Sequence, residues 1–135
     1  MNHTLHARIQ PLRIALGLMA TLAGLDKFFN LLADWPSYVS PLAQSLLPLS
    51  SAAFMHVVGV IEFGVGLAIL GVAPVVGAYA ASGWLLIVAL NLVLAGHFDV
   101  AVRDVVMSIA AFTLAALITP ASVANPALPS GRAFA

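Results

Sequence analysis

Five acidic and five basic side chains are all the charge that 135 residues carry. Each one that falls inside an apolar run is therefore a candidate for chemistry. Glu62 is the most informative of them. It lies near the middle of the run HVVGVIEFGVGLAILG. A carboxylate at the centre of a bilayer costs about 3 kcal/mol if it faces lipid as the anion, so it is expected to face a bundle interior or a water-filled cavity. Gly59 and Gly66 fall on the same helical face, and small residues mark the side where another helix approaches. Such a carboxylate serves ligand binding or proton handling; the alternative is a neutral or ion-paired packing group. Lys27 is the candidate partner. It shares a small-residue face with Ala20, Ala23 and Gly24. Its long stem could reach down to Glu62, roughly 15 Å from its helix end at 1.5 Å per residue, or snorkel up to the headgroups. Asp26 is adjacent to Lys27, but adjacent helical residues do not face each other.

A second group, His97, Asp99, Arg103 and Asp104, lies in GHFDVAVRDVV. Asp99 and Arg103 are four apart and suit one helical ion pair; Asp104 suits a helix start. These residues make either a solvated connection or, with Lys27 and Glu62, one polar pocket in which His97 hydrogen-bonds or shuttles a proton near neutral pH. His56 is six residues from Glu62 and does not share its face. A bis-histidine haem would have only His56 and His97 as axial ligands, so haem is disfavoured. Asn91 reads as an interhelical hydrogen-bonding residue. There is no cysteine, which excludes thiol relays, thiolate metal sites and thiolate-bound clusters. No metal site is expected, and no phosphate-binding, dinucleotide-binding, zinc-protease or serine-elbow motif occurs. Any redox step needs a cofactor, a quinone or a partner.

The elements that must position these groups are apolar helices. Hydrophobic residues make up 62% of the chain and charged ones 7%, against about 25% charged in soluble domains. The zero net charge offers no basic patch to nucleic acid. Runs of about 20 apolar residues span a bilayer. Four are expected, at about 11–32, 52–71, 75–95 and 103–119. Pro11 suits a first helical turn, and the first run, without a small-residue cleavage site, reads as a retained span rather than a signal peptide. Residues 33–51 read as a membrane-surface loop. Pro36, Pro41 and Pro48 break any long helix, Trp35 and Tyr38 suit the headgroup level, and a helical turn is expected around Leu42–Leu47. The turn at Pro74 is short enough to make its flanking spans antiparallel neighbours. The fold expected is all-α: an integral membrane four-helix up-down-up-down bundle over 1–120, with a disordered tail over 121–135. Arg8, Arg13 and Arg132 share one side and most acids the other or the membrane, so the positive-inside rule puts both termini in the cytoplasm.

The segments RIALGLMATLAGLDKFFN, IEFGVGLAILG and HFDVAVRDVVMSIAAFTLAAL resemble, in that order, the first, second and fourth helices of the DoxX family. The likeness covers about residues 10–119, and Arg13, Lys27 and Glu62 are the positions carried over. The neutral GVAPVV departs from relatives that place a basic residue after the second span. The resemblance implies a multi-pass protein of the bacterial cell (inner) membrane in a respiratory or redox-stress context. Three functions follow as expectations. The first is a membrane subunit or scaffold of redox proteins, acting with other redox proteins or as a homo-oligomer. The second is a quinone-linked oxidoreductase subunit with Glu62, Lys27 and His97 lining the headgroup site. The third is a small transporter or channel component; four spans without an inverted repeat or broken helix give it little to gate.

Overall fold

A computed structural model describes residues 3–120. The tail expected to be disordered, Arg132 included, lies outside the described residues. Those described form helices and turns with no strand, so the fold is all-α. Helix α1 spans His3–Asp26, α2 Pro41–Leu46, α3 Ser51–Leu67, α4 Pro74–Leu94 and α5 Phe98–Ile118. A 3₁₀ turn, Trp35–Tyr38, precedes α2, and a π turn, Ala68–Val72, extends α3.

Three of these helices are long and apolar enough to cross a membrane: α3 with its π turn, α4 and α5. Their outward faces carry large apolar side chains, among them Val60, Ile87, Leu90, Val106, Ile109 and Phe112, all exposed. An apolar surface of this extent suits lipid. Helix α1 has 24 residues, but His3, His6, Arg8, Gln10, Arg13 and Asp26 dilute it, and it is not among the three.

Helix boundaries follow local chemistry. Ser40 and Ser50 cap α2 and α3, accepting hydrogen bonds from the backbone N–H groups of Ala43 and Ala53, both at 3.2 Å. These capped donors have no intrahelical partner otherwise. Helix α4 opens on Pro74, whose missing N–H costs nothing at a first turn. It closes on Gly96 at φ 85°. There His97 N–H donates to Leu92 C=O and Gly96 N–H to Val93 C=O, the paired closure that a left-handed glycine permits.

Three bounds differ from expectation. Helix α1 begins at His3, before the expected start at Pro11, runs through that proline and stops at Asp26, six residues short of the expected end. The Asp26 carboxylate accepts from the backbone N–H groups of Leu31 and Leu32, at 3.0 and 2.8 Å, which fixes the following segment in a turn through Asn30 at φ 53°. Helix α5 starts five residues earlier than expected, at Phe98, because the α4 closure at Gly96 needs only one further residue before the next turn.

Helix α1 lies antiparallel along α3. Gly17 meets Leu70, Thr21 meets Gly66, and Gly24 meets Gly59. The approach is close: a Cβ at Gly24 would sit 2.7 Å from Gly59 O and a Cβ at Gly59 2.6 Å from Gly24 O. The two small-residue faces noted in the sequence are therefore the two sides of one contact. Helices α4 and α5 pair through buried Ala78, Ala81, Ala111 and Ala115, and through Ser82 and Ser108. Ser108 Oγ donates to Ser82 C=O at 2.7 Å.

Candidate functional site

The close α1–α3 contact sets the depth of two cations against α3, Arg13 on α1 and Lys27 just past its end. Near one end, Arg13 donates from Nε to Ile69 C=O at 2.8 Å and from a terminal nitrogen to Leu70 C=O at 2.7 Å. These carbonyls are free for a definable reason. The π turn gives Ala73 N–H to Ala68 C=O, which strands the Ile69 carbonyl. Pro74 has no N–H to offer Leu70. The guanidinium supplies both missing donors.

Near the other end, Lys27 Nζ lies 2.5 Å from Glu62 Oε2, with side chains 5% and 13% exposed. This is the one ion pair among the described residues. Lys27 Nζ also donates to Ala23 C=O at 3.4 Å and sits 3.8 Å from the centre of the Trp35 ring, where the ring face attracts a cation. Trp84 Nε1 donates to Glu62 Oε1 at 3.4 Å. Asp26 does not pair with Lys27. Besides the turn, it accepts from Trp35 Nε1 at 2.8 Å, and so fixes the indole that covers Lys27.

The pair opens on a cavity of about 510 Å³. Every helix except α2 contributes to its wall, and so does the 3₁₀ turn. Most of the wall is apolar, including Met19, Met55, Phe54 and Met107. The polar groups are few: Lys27, Glu62, Asn91, Arg103 and Asp104, with Trp35, Trp84 and Tyr38 as amphipathic aromatics. An apolar slot with a few convergent polar groups is the usual form of a small-molecule site. The roof is tied down by Asn91, which donates to Tyr38 C=O at 2.8 Å and accepts from Ser40 N–H at 3.0 Å.

The sequence-derived residues separate on this geometry. Glu62, Lys27, Arg103 and Asp104 meet at one cavity. His97 lies beside it, its ring 4.6 Å from that of Tyr38 and its Nε2 3.4 Å from Ser37 O. His56 is exposed and stacks on Phe28 at 4.7 Å. Asp99 and Arg103 share a helix, yet no ion pair forms between them. The sequence reading missed Trp84 as a partner of Glu62 and Trp35 as the cover of Lys27. The Trp84 signal was present as an indole N–H needing a partner inside an apolar run.

Fold and site together define a small all-helical membrane protein with an ion pair inside an apolar cavity. A family model makes the assignment specific: the DoxX model matches residues 9–97, more than half of the chain. The chain belongs to the DoxX family. Lys27, Glu62, Trp84 and Asn91 fall within the matched residues; α5, expected to resemble the family's fourth helix, lies beyond them. No match is found among curated proteins or among solved structures.

Proposed function

We propose that this chain is a small membrane subunit of a redox or respiratory assembly, and that its own contribution is a quinone site at the Lys27–Glu62 pair. The observation that carries the reading is the cavity of about 510 Å³, apolar over most of its wall and polar where Lys27, Glu62 and Trp84 converge. A quinone needs an apolar slot for its ring and tail and a few hydrogen-bonding groups for its head. The resemblance to a family named for quinone-linked oxidation points the same way.

In this reading α1 is a fourth span beside α3, α4 and α5, in an up-down-up-down bundle of the bacterial inner membrane. Both termini face the cytoplasm, with Arg8 and Arg13 near that side. The antiparallel contacts of α1 with α3 and of α4 with α5 support the arrangement. Burial of Arg13 against the π-turn carbonyls explains how a span tolerates its charge.

A scaffold reading has one observation of its own. Gly64 and Gly83 face open space, on faces that the internal packing does not use. Partner helices, or a second copy of the chain, could approach closely there.

The test is purification of tagged protein from native membranes in mild detergent. Co-eluting proteins are identified by mass spectrometry, and quinone is extracted and measured by absorbance. Bound quinone with a stoichiometric redox partner is expected. A partner without quinone leaves the scaffold reading, and a lone chain with nothing bound removes the redox assignment.

A further inference from the structure

The pocket holds a second carboxylate that the ion pair does not use. Asp104, on α5, is 8% exposed. Among the described residues it takes no hydrogen bond, and it is not ion-paired. Arg103, next in the chain, is exposed. Among the described residues no fully enclosed side-chain oxygen or nitrogen lacks a partner, so the Asp104 oxygens keep some accessible surface. The space that Asp104 lines is the cavity.

The donors around the ion pair are already engaged. Lys27 serves Glu62 and Ala23, Trp84 serves Glu62, and the Asn91 amide holds the roof. Of the polar side chains in the wall, Arg103 and the Tyr38 hydroxyl also make no hydrogen bond among the described residues; Asp104 is the acceptor that remains, and unlike Arg103 it is buried. A carboxylate removed from water without a donor is costly. A ligand hydroxyl would satisfy it with a charge-assisted hydrogen bond, about twice as strong as a neutral one. A ligand carbonyl would set acceptor against acceptor.

We infer that Asp104 is a ligand-binding residue that accepts a hydrogen bond from a ligand hydroxyl, so that the pocket selects the reduced, hydroxyl-bearing form of a quinone over the oxidised form. This rests on the quinone reading and makes it specific. Sites built to bond a hydroxyl discriminate strongly against analogues lacking it. The pair Lys27–Glu62 sets the headgroup depth, and Asp104 reads the oxidation state. A tenfold preference for the quinol raises the potential of the bound two-electron couple by about 30 mV, because the reduced form is the one stabilised.

Trp35 and Trp84 are the two tryptophans of the chain, and both line the cavity. Their fluorescence reports occupancy directly. The experiment titrates the full chain in lipid nanodiscs, without oxygen, with a decyl-substituted benzoquinone and with its hydroquinone. The quinol is expected to bind at least tenfold more tightly. In Asp104→Asn, which keeps the shape and supplies an amide donor, that preference is expected to vanish or reverse, with quinone affinity kept within threefold or improved. Equal affinities in the parent chain, a measurement that needs no variant, overturn the inference. So does a preference that survives in a correctly folded Asp104→Asn. If neither form quenches the parent protein, the quinone reading itself fails, and the inference fails with it.

Discussion

Two cations, Arg13 on α1 and Lys27 one residue past its end, reach across to α3, one near each end of the same interface, and they end differently. Arg13 meets two backbone carbonyls left without donors by the π turn and Pro74. Only a small cavity of about 170 Å³ lies beside it. Lys27 meets a side chain, Glu62, and both line a cavity. A planar fork with fixed donors matches two carbonyls held by the backbone. A flexible ammonium facing one carboxylate leaves a geometry that a ligand can adjust. The first junction is explained completely by the fold. The second leaves space and acceptor capacity that the fold does not use. That surplus, in a cavity about three times the size of the one beside Arg13, is why the proposed site is placed at the Lys27 end, although both junctions place one cation inside an apolar helix pair.

Removing one charge at a time gives the largest contrast. Glu62→Leu leaves Lys27 buried without its counter-charge, and about 3 kcal/mol of stability is expected to be lost, as for other broken buried pairs. The double variant Lys27→Met with Glu62→Leu replaces the pair by apolar groups of similar size. It is expected to unfold within about 1 kcal/mol of the parent, since apolar replacement of buried pairs is often neutral. Quinone binding is expected to be absent in the double variant. Unfolding titration in mixed micelles and tryptophan quenching read the two quantities separately. A double variant as unstable as the single one would make the pair structural, and the two ends of the interface would then be alike.

Arg13→Met comes next. It strands the Ile69 and Leu70 carbonyls, and a cost of about 2 kcal/mol is expected from two carbonyls left without a donor. Ligand affinity in the folded fraction should stay within twofold of the parent. A tenfold loss of affinity at unchanged stability would move Arg13 into the site. Gly24→Ala should follow closely. Its Cβ meets the backbone of α3, and a cost of about 1–2 kcal/mol is expected from overpacking. Because Gly24 lies one turn from Lys27, this variant should also disturb the cavity, which Arg13→Met should not. The same two assays check it.

How much of this was legible in the chain differs between the two ends. The Gly59, Glu62, Gly66 face and the Ala20, Ala23, Gly24, Lys27 face follow from helical spacing, and the structure sets one against the other. Asp104 and Arg103 could be grouped with them through their shared chain end. What spacing does not reveal is a tertiary acceptor or a turn geometry. Arg13 could be flagged as a charge inside a span, but its partners depend on a π turn that has no signature beyond the following Pro74. The early stop of α1 depends on Asp26 bonding to Leu31 and Leu32 rather than to Lys27. That choice is made by a side chain competing with the helix for backbone donors. His97 shares a chain end with the pocket, yet the glycine closure of α4 sets it against Tyr38.

The finest test leaves both charges in place. Arg13→Lys keeps the cation but replaces a rigid fork with a compact ammonium on a flexible stem. At the π turn, two carbonyls lie where two guanidinium nitrogens reach them at 2.8 and 2.7 Å. An ammonium can hold one of them well and must share itself with the other. About 1 kcal/mol is therefore expected to be lost, one hydrogen bond's net worth. Lys27→Arg offers the reverse exchange, a planar group where a point charge now sits over Trp35 and against Glu62. Stability should change less there, because the cavity can take the added bulk, while ligand affinity should fall as the head space fills. Opposite rankings of the two exchanges in stability and in binding are what a structural clasp and a ligand site at either end of one interface require. Matching rankings, read in micelle unfolding and in nanodisc titration, would show that the Lys27 end holds the helices together just as the π turn does at Arg13.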